Sequence, residues 1–168
     1  MPGLLRVAVL WNSANPSVSL GLRDTRLAAD KLGINIEPVQ VREPKDFTVA
    51  FTNLTQRRPE ALVLFQDALT LQHRKEIIDF VARARMPTMY TGREWVREGG
   101  FMSYGENLGV VFHRAAYFVD KIFKGTKPAD LPVEQPTEFD LVINLKTAEA
   151  LGITFPQIIL LRADEVID

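Results

Sequence analysis

The sequence contains no cysteine among its 168 residues. That absence excludes disulfide bridges, thiolate catalysis and metal sites built on cysteine. It is compatible with the cytosol and equally with a periplasmic protein that needs no disulfides. The two histidines, His73 and His113, are far apart and lack the spacing of metal ligands, so both are expected on helix surfaces. We therefore expect neither a metal nor a cofactor.

Long apolar runs and an excess of one charge are also missing. No stretch approaches the roughly 20 apolar residues that a membrane-spanning helix needs. Residues Met1 to Arg6 lack the segments of a signal peptide, so the chain as written is expected to stay in the cytosol. A net charge of −1 provides no long-range attraction for nucleic acid, and we expect no nucleic-acid partner.

The first ninety residues alternate between strand and helix patterns. The predicted strands are short apolar runs, namely Arg6 to Asn12, Ile34 to Val41, Ala61 to Phe65 and Pro87 to Thr91. The predicted helices run from the cap Asn15 to Gly33, from Pro44 to Arg57 and from Leu71 to Arg85. Because consecutive parallel strands connect in a right-handed sense, this predicts an α/β fold with a Rossmann-like, doubly wound parallel sheet. The second strand carries more polar residues and is expected at an edge.

The remaining residues are less regular. The patterns predict a short helix at Trp95 to Glu98, a strand and turn at Phe101 to Gly105, a long helix at Leu108 to Lys124, extended pieces at Leu131 to Gln135 and Phe139 to Leu145, and a short helix at Thr147 to Leu151. The apolar residues Ile158 to Leu161 of the tail are expected to pack. We divide the chain into a first lobe of alternating strands and helices, residues 1–100, and a less regular segment, residues 101–168.

Polar residues follow three of the predicted strands. Ligands of open parallel sheets bind beyond the carboxyl ends of the strands, near the point where strand order reverses. The candidate ligand-binding residues at these ends are Asn12, Ser13, Asn15, Asp67, Thr91, Gly92 and Arg93. The sequence therefore predicts a polar site at the carboxyl ends of the strands.

Two of these residues also have plain structural roles. Asn15 can cap the first helix, and with Ser13 it can offer polar groups to a carboxylate at the positive end of that helix. Asp67 can cap the next helix or accept hydrogen bonds from an ammonium group. Arg93 and Glu94 are more typical of structural ion pairs with partners elsewhere in the chain.

Catalytic motifs are not found in the sequence. It has no Gly-x-Ser-x-Gly elbow, no phosphate loop ending in Gly-Lys-Ser/Thr, and no Gly-x-Gly-x-x-Gly after the first strand. A response-regulator receiver domain would need acidic residues after the first strand to hold magnesium, and Asn12 and Ser13 occupy that place. We therefore expect a protein that is not an enzyme.

Several stretches resemble one known family. They are Arg6 to Asn12 with Ala14 to Pro16, Gly99 to Gly105, Ile122 to Gly125 with Lys127 to Pro136, Phe139 to Ala148, Ala150 to Gly152, and Arg162 to Ile167. In order and spacing they are similar to the C-terminal half of the ABC transporter substrate-binding proteins that include tryptophan- and tyrosine-binding members. That resemblance implies the type I periplasmic-binding fold.

The resemblance carries functional expectations. Such proteins have two Rossmann-like lobes, close them around a small-molecule ligand and dock on an ABC permease, and no bond in the ligand changes. Transferred by motif position, the contacts are Ser13, Asn15, Asp67 and the turn Thr91 to Arg93, with Tyr104 on the hinge side. The resemblance implies a periplasmic location, whereas the chain as written has no signal peptide.

The N-terminal lobe of the family has no counterpart in this sequence. The chain is then either part of a longer reading frame or a short relative, and a stand-alone intracellular sensor or interaction domain is the alternative function. The long helix would lack its partner, because Phe112, Phe118 and Phe123 cannot all face one small sheet. We therefore expect a homodimer formed through residues 101–125.

Overall fold

Seven strands form one sheet in the computed structural model, which describes residues 3–168. Met1 and Pro2, the first residues of the predicted 1–100 lobe, lie outside the described residues. The strands are β1 (Arg6–Asn12), β2 (Asn35–Val41), β3 (Ala61–Leu64), β4 (Thr88–Tyr90), β5 (Met102–Glu106), β6 (Phe139–Asn144) and β7 (Glu165–Ile167). Their order is β2-β1-β3-β4-β5-β6-β7, with β5 and β6 antiparallel and the other pairs parallel. The predicted fold class is confirmed.

Eight α-helices accompany the sheet within residues 3–168. They are α1 (Pro16–Leu32), α2 (Asp46–Arg57), α3 (Ala68–Gln72), α4 (Arg74–Arg83), α5 (Arg93–Arg97), α6 (Leu108–Phe123), α7 (Leu145–Leu151) and α8 (Gln157–Leu160). Asn15 caps α1 as predicted, since its side-chain oxygen accepts the N–H of Ser17. None of the helices in this described part of the chain is long and apolar enough to cross a membrane.

The two faces of the sheet are covered differently. On the first face, alternate residues of β1 such as Leu10 pack against the helices α2, α4 and α5, which contribute Phe47, Ile77 and Trp95 to a fully buried core. The second face receives α1 and the segment after α7, with Val7 of β1 directed towards α1. Burial on both faces explains why β1 reads as a continuous apolar run.

The edge strand β2 is protected against pairing with another strand. The N–H of Asn35 donates to the carbonyl of Leu5, and the carbonyl of Val41 accepts from the N–H of Ser13. The backbone N–H and C=O groups of the odd-numbered residues of β2 therefore point towards β1. By alternation, Pro38 at the middle of β2 faces outward, where it has no N–H to offer. The predicted edge position of this strand is confirmed, and its outer side is poorly suited to sheet extension.

Two predicted helices have different limits in the structure. The prediction of one helix from Leu71 to Arg85 is wrong: α3 ends before His73, whose ring packs on Phe47 at 4.7 Å between centroids, and α4 follows. The second helix begins at Asp46 rather than at Pro44, because the Asp46 carboxylate accepts the N–H groups of the two residues after β2, Arg42 and Glu43. The two limits coincide with the packing of His73 on Phe47 and with the hydrogen bonds of the Asp46 carboxylate.

The C-terminal tail departs in part from its prediction. The prediction that Ile158 to Leu161 pack is confirmed only in part: Ile159 and Leu160 are half-buried, whereas Ile158 and Leu161 are 62% and 76% exposed. The tail also attaches through β7, which pairs in parallel with β6, and Phe155 stacks on Phe101 at 5.1 Å between ring centroids. The pairing of β7 with β6 and the stacking of Phe155 on Phe101 therefore both hold this segment.

The start of β1 depends on one carboxylate. Glu60 Oε2 accepts the N–H groups of Arg6 and Leu5, each at 2.7 Å, and these hydrogen bonds lower the pKa of Glu60 below its ordinary value of 4.5. A carboxyl group with a lowered folded-state pKa stabilises the fold above its unfolded pKa, and that contribution is lost as the pH falls through the folded pKa.

We therefore expect Glu60→Gln to make thermal stability less dependent on pH below about 4.5. The measurement is the midpoint of thermal unfolding at steps between about pH 6 and pH 3, the range in which carboxylates titrate. Glu149→Gln is the control, because the Glu149 carboxylate makes no hydrogen bond or ion pair within residues 3–168. Equal acid sensitivity of wild type and Glu60→Gln would contradict the role of this carboxylate.

Candidate functional site

The strand order reverses between β1 and β3. From β1 the chain moves to β2 on one side, and from β3 it moves to β4 on the other, so a crevice opens at the carboxyl ends of β1 and β3. Asn12 ends β1, and Asp67 caps the helix that follows β3. The side-chain nitrogen of Asn12 donates to Asp67 Oδ2 at 2.5 Å, and that of Asn15 lies 3.4 Å from the same oxygen.

The asparagine amides of this cluster are fixed in orientation. Asn12 Oδ1 accepts the N–H of Ala14 at 2.9 Å, and Asn15 Oδ1 accepts the N–H of Ser17 at 3.1 Å. Each NH₂ group carries two N–H bonds, of which Asp67 takes one, so a second donor remains on both residues. These donors lie at the N-terminus of α1, where the helix dipole favours an anion.

Ser13 adds an unpaired hydroxyl to the cluster. Its Oγ is shielded from solvent and has no hydrogen-bond partner within the described range 3–168. A buried polar atom without a partner costs free energy unless a ligand or water satisfies it. Because Ser13 directly follows Asn12 in the chain, its unsatisfied hydroxyl is a candidate contact for a ligand.

The turn after β4 is joined to the same region. Gln66 N donates to Thr91 Oγ1 at 3.3 Å, and Gln66 Oε1 accepts the indole N–H of Trp95 at 2.7 Å. A Cβ atom on Gly92 would lie 2.5 Å from Gln66 Oε1, so a larger residue there would displace the Gln66 amide that accepts from Trp95. Thr91 and Gly92 are thereby held beside the loop that carries Asp67.

Arg93 belongs to a second polar cluster on the same edge. It forms an ion pair with Asp140 of β6, and the other oxygen of Asp140 accepts from the Asn107 side chain at 3.2 Å. The prediction of a structural ion pair is confirmed for Arg93, whereas Glu94 forms no ion pair within residues 3–168. Tyr104 lies one residue beyond the paired residues Tyr90 and Ser103, is 51% exposed, and stacks on Phe139.

The structure thus places all the predicted site residues on the side of the sheet where the carboxyl ends of the parallel strands lie. Asn12, Asn15 and Asp67 contact one another, and Ser13 lies between the two asparagines in the chain. Thr91 and Gly92 are adjacent through Gln66, whereas Arg93 and Tyr104 lie further along, beside β5 and β6.

Sequence reasoning missed Asp140 and Asn107. Asp140 is 47 positions from Arg93, so no local spacing connects them, but Asn107 before a long helix is a recognisable cap. Within residues 3–168, no three His, Cys, Asp or Glu side chains are grouped so that they could hold a metal ion.

Comparison with known proteins assigns the family. The model of a family described as ABC transporter substrate binding protein matches residues 1–167. The chain belongs to this family. The resemblance inferred from the sequence motifs is confirmed, and the family is one of substrate-binding proteins rather than enzymes.

Solved structures share the fold of this family member. A conserved domain protein from Vibrio cholerae aligns with a TM-score of 0.91 at 24% identity, over 99% of this chain and 56% of that protein. An ABC domain from Streptococcus pneumoniae in complex with L-Trp aligns with a TM-score of 0.92 at 23% identity, over 99% of this chain and 56% of that protein. CD0873 from Clostridium difficile is a substrate-binding protein with adhesive properties. Its ligand-free, open structure aligns with a TM-score of 0.72 at 17% identity, over 99% of this chain and 55% of that protein.

The family member described here thus spans little more than half the length of these solved structures. No curated protein matches the sequence.

Proposed function

We propose that this chain is a solute-binding component of an ABC importer and holds a small zwitterion, an amino acid, at the carboxyl ends of β1, β3 and β4. The observation that carries the proposal is the cluster of Asn12, Asn15 and Asp67 at the point where strand order reverses. Membership of the substrate-binding family supports it independently.

The cluster suits the two charged ends of an amino acid. The spare amide N–H groups of Asn12 and Asn15 and the Ser13 hydroxyl can donate to a carboxylate at the N-terminus of α1. The Asp67 carboxylate and the Thr91 hydroxyl can accept from an ammonium group. The ligand is bound and released unchanged, since the site needs no nucleophile for this task.

The wider roles follow from the family. We propose that residues 1–100 form one ligand-binding lobe and that 101–168 form the crossover and return segment. In the transporter the lobe delivers its solute to an ABC permease from the extracytoplasmic side. Self-association through residues 101–125 is part of the proposal, because α6 contributes exposed apolar residues such as Phe112 and Phe123.

A thermal-shift screen of the twenty amino acids tests the ligand class, with L-tryptophan as the first probe because a solved relative binds it. Ligand at about 100 times its dissociation constant should raise the unfolding midpoint by roughly 5 to 10 °C. Indole is the control, since it keeps the aromatic ring and lacks both charged ends. If none of the amino acids shifts the midpoint, or if indole acts as well as L-tryptophan, the proposed recognition is wrong.

A further inference from the structure

An arm projects from the edge of the sheet that carries the polar site. We define the arm as residues 107–138, which contain α6 and the stretch that returns to β6. Its two ends meet, because Glu106 pairs with Phe139 and the N–H of Asn107 donates to the carbonyl of Glu138 at 3.2 Å. Within the described chain, α6 has no buried residue.

The arm is held together internally by polar contacts. The guanidinium of Arg114 donates to both carboxylate oxygens of Glu134, at 2.6 and 2.5 Å, and lies 4.1 Å from the ring centre of Tyr117. The ion pair raises the pKa of Arg114 and lowers that of Glu134, and both groups are exposed. The return stretch therefore covers the Arg114 side of α6 and leaves the opposite side open.

The open side of α6 is an apolar stripe. Its large exposed side chains are Leu108 (40%), Phe112 (70%), Val119 (48%), Ile122 (40%) and Phe123 (86%). Positions 108, 112, 119 and 122 are separated by steps of four, seven and three residues. That spacing keeps the side chains on one face of a helix and is typical of a helix that packs against a partner.

The sheet of the same chain lacks a helix in one place. On the second face, Val63, Met89 and Met102 of three adjacent strands line an apolar groove of about 380 Å³, between α1 and the segment Ile153 to Pro156. We call it the second-face groove. Parallel sheets are ordinarily covered by helices on both faces, so this apolar groove between α1 and the segment Ile153 to Pro156 is a surface that a further helix can cover.

The surface area of the chain indicates how much is left uncovered. A compact monomer of 18.9 kDa should expose about 8,300 Å² by the scaling of surface with mass. The chain exposes 10642 Å², roughly 2,300 Å² more than that scaling predicts. Twice that excess lies within the roughly 2,000–5,000 Å² that obligate homodimers bury.

The arm cannot fill the groove of its own chain. A single residue, Asn107, separates β5 from α6, and its side chain is held by Asp140. Connections that turn a helix back onto the preceding strand ordinarily have about 2–6 residues. α6 of the same copy is therefore not the helix that covers the groove.

We propose that α6 of one copy packs in the second-face groove of another copy and reciprocally, so that the two polar strand ends face each other and each copy completes the ligand site of its partner. A 16-residue helix is about 24 Å long, close to the roughly 23 Å of a seven-residue strand, so α6 can span the sheet. The completion of the ligand site rests on the proposed function, whereas the pairing of arm and groove does not.

Oligomeric mass tests the pairing. Sedimentation equilibrium of the 168-residue chain should give twice the mass of 18.9 kDa. Phe112→Glu on the stripe and Ala28→Arg in the groove should each weaken the dimer by at least about 100-fold. Both side chains are exposed in one copy, so the fold should be retained, as circular dichroism can verify. The matched controls are His113→Glu, on the polar side of α6, and Leu27→Arg, on α1 but outside the groove.

Mixing the two variants is the decisive experiment. Phe112→Glu keeps an intact groove and Ala28→Arg keeps an intact stripe, so the mixture should regain a heterodimer held by one contact. A wild-type monomer overturns the proposal. A dimer that survives Ala28→Arg shows that two α6 helices pair with each other, and this also overturns it.

Binding of L-tryptophan separates this inference from the proposed function. A wild-type dimer that does not bind L-tryptophan leaves the pairing in place and counts against the proposed ligand. If wild type binds and the monomeric Ala28→Arg variant binds L-tryptophan at least about tenfold more weakly, the site is shared between copies. Equal affinity would overturn completion of the site by the second copy.

Discussion

Replacing Asp67 by asparagine is expected to weaken binding of L-tryptophan by roughly 10- to 100-fold. The substitution removes the negative charge proposed to face the ammonium group. It also places an amide near the Asn12 NH₂ group, which donates to Asp67 Oδ2 at 2.5 Å in the native chain. Two donors then meet, or the amide rotates and loses its cap on Thr70. Isothermal titration calorimetry gives the dissociation constants.

Asp46→Asn is the matched control for this experiment. Asp46 also accepts backbone N–H groups at a helix start, but it lies after β2 and makes no hydrogen bond to Asn12, Asn15 or Asp67 within the described residues. It should therefore lose stability without losing affinity. An unchanged dissociation constant in Asp67→Asn would show that Asp67 serves only as a helix cap, and the proposed ammonium contact would be discarded.

Gly105→Ala is expected to lower the free energy of unfolding by about 3 kcal/mol. A Cβ atom at position 105 would overlap the carbonyl oxygen of Thr91, so either β5 or the turn after β4 must move. That turn carries Thr91 and Gly92, and the shift should therefore also weaken the site. Denaturant unfolding monitored by circular dichroism measures the loss of stability.

Gly21→Ala is the opposite case in the same chain. Gly21 lies within α1, and the nearest atoms to an added Cβ belong to the Phe65 ring at 3.8 Å, an ordinary contact. Because alanine favours the helix over glycine, stability should rise by about 0.5–1 kcal/mol. If Gly105→Ala behaved like Gly21→Ala, the close approach of β5 to Thr91 would not be a real constraint.

Most of the fold could be predicted because its signals are local. The apolar run of β1, the cap Asn15 and the helix end at Gly33 each depend on neighbouring residues, and all three appear as expected. The break at His73 could not be read in this way, since histidine carries no helix-breaking signal and the contact with Phe47 is long-range. Strand β7 was missed for the same reason, because its pairing with β6 makes it a strand.

The residues of the candidate site likewise fall into those that local patterns could predict and those that depend on long-range contacts. Asn12, Asn15 and Asp67 follow strands, and parallel strands bring their carboxyl ends to one edge of a sheet, so sequence reasoning could place them together. The partner of Arg93 depends on β6 running antiparallel beside β5, which no local pattern encodes. The unpartnered state of α6 was predictable from its broad apolar surface, and the groove that suits it was not, because its lining comes from several strands and α1.

The outward-facing proline of β2 bears on how large an assembly of this chain can become. Growth by adding strand to strand would need an uninterrupted row of donors and acceptors at a sheet edge. Pro38 interrupts that row on one side of the sheet, and on the other side the terminal strand is three residues long. When two copies exchange α6 helices reciprocally, both contact surfaces are used, and the assembly stops at a closed dimer. Concentrated solutions of this protein should therefore stay clear and of constant particle size rather than form fibrils.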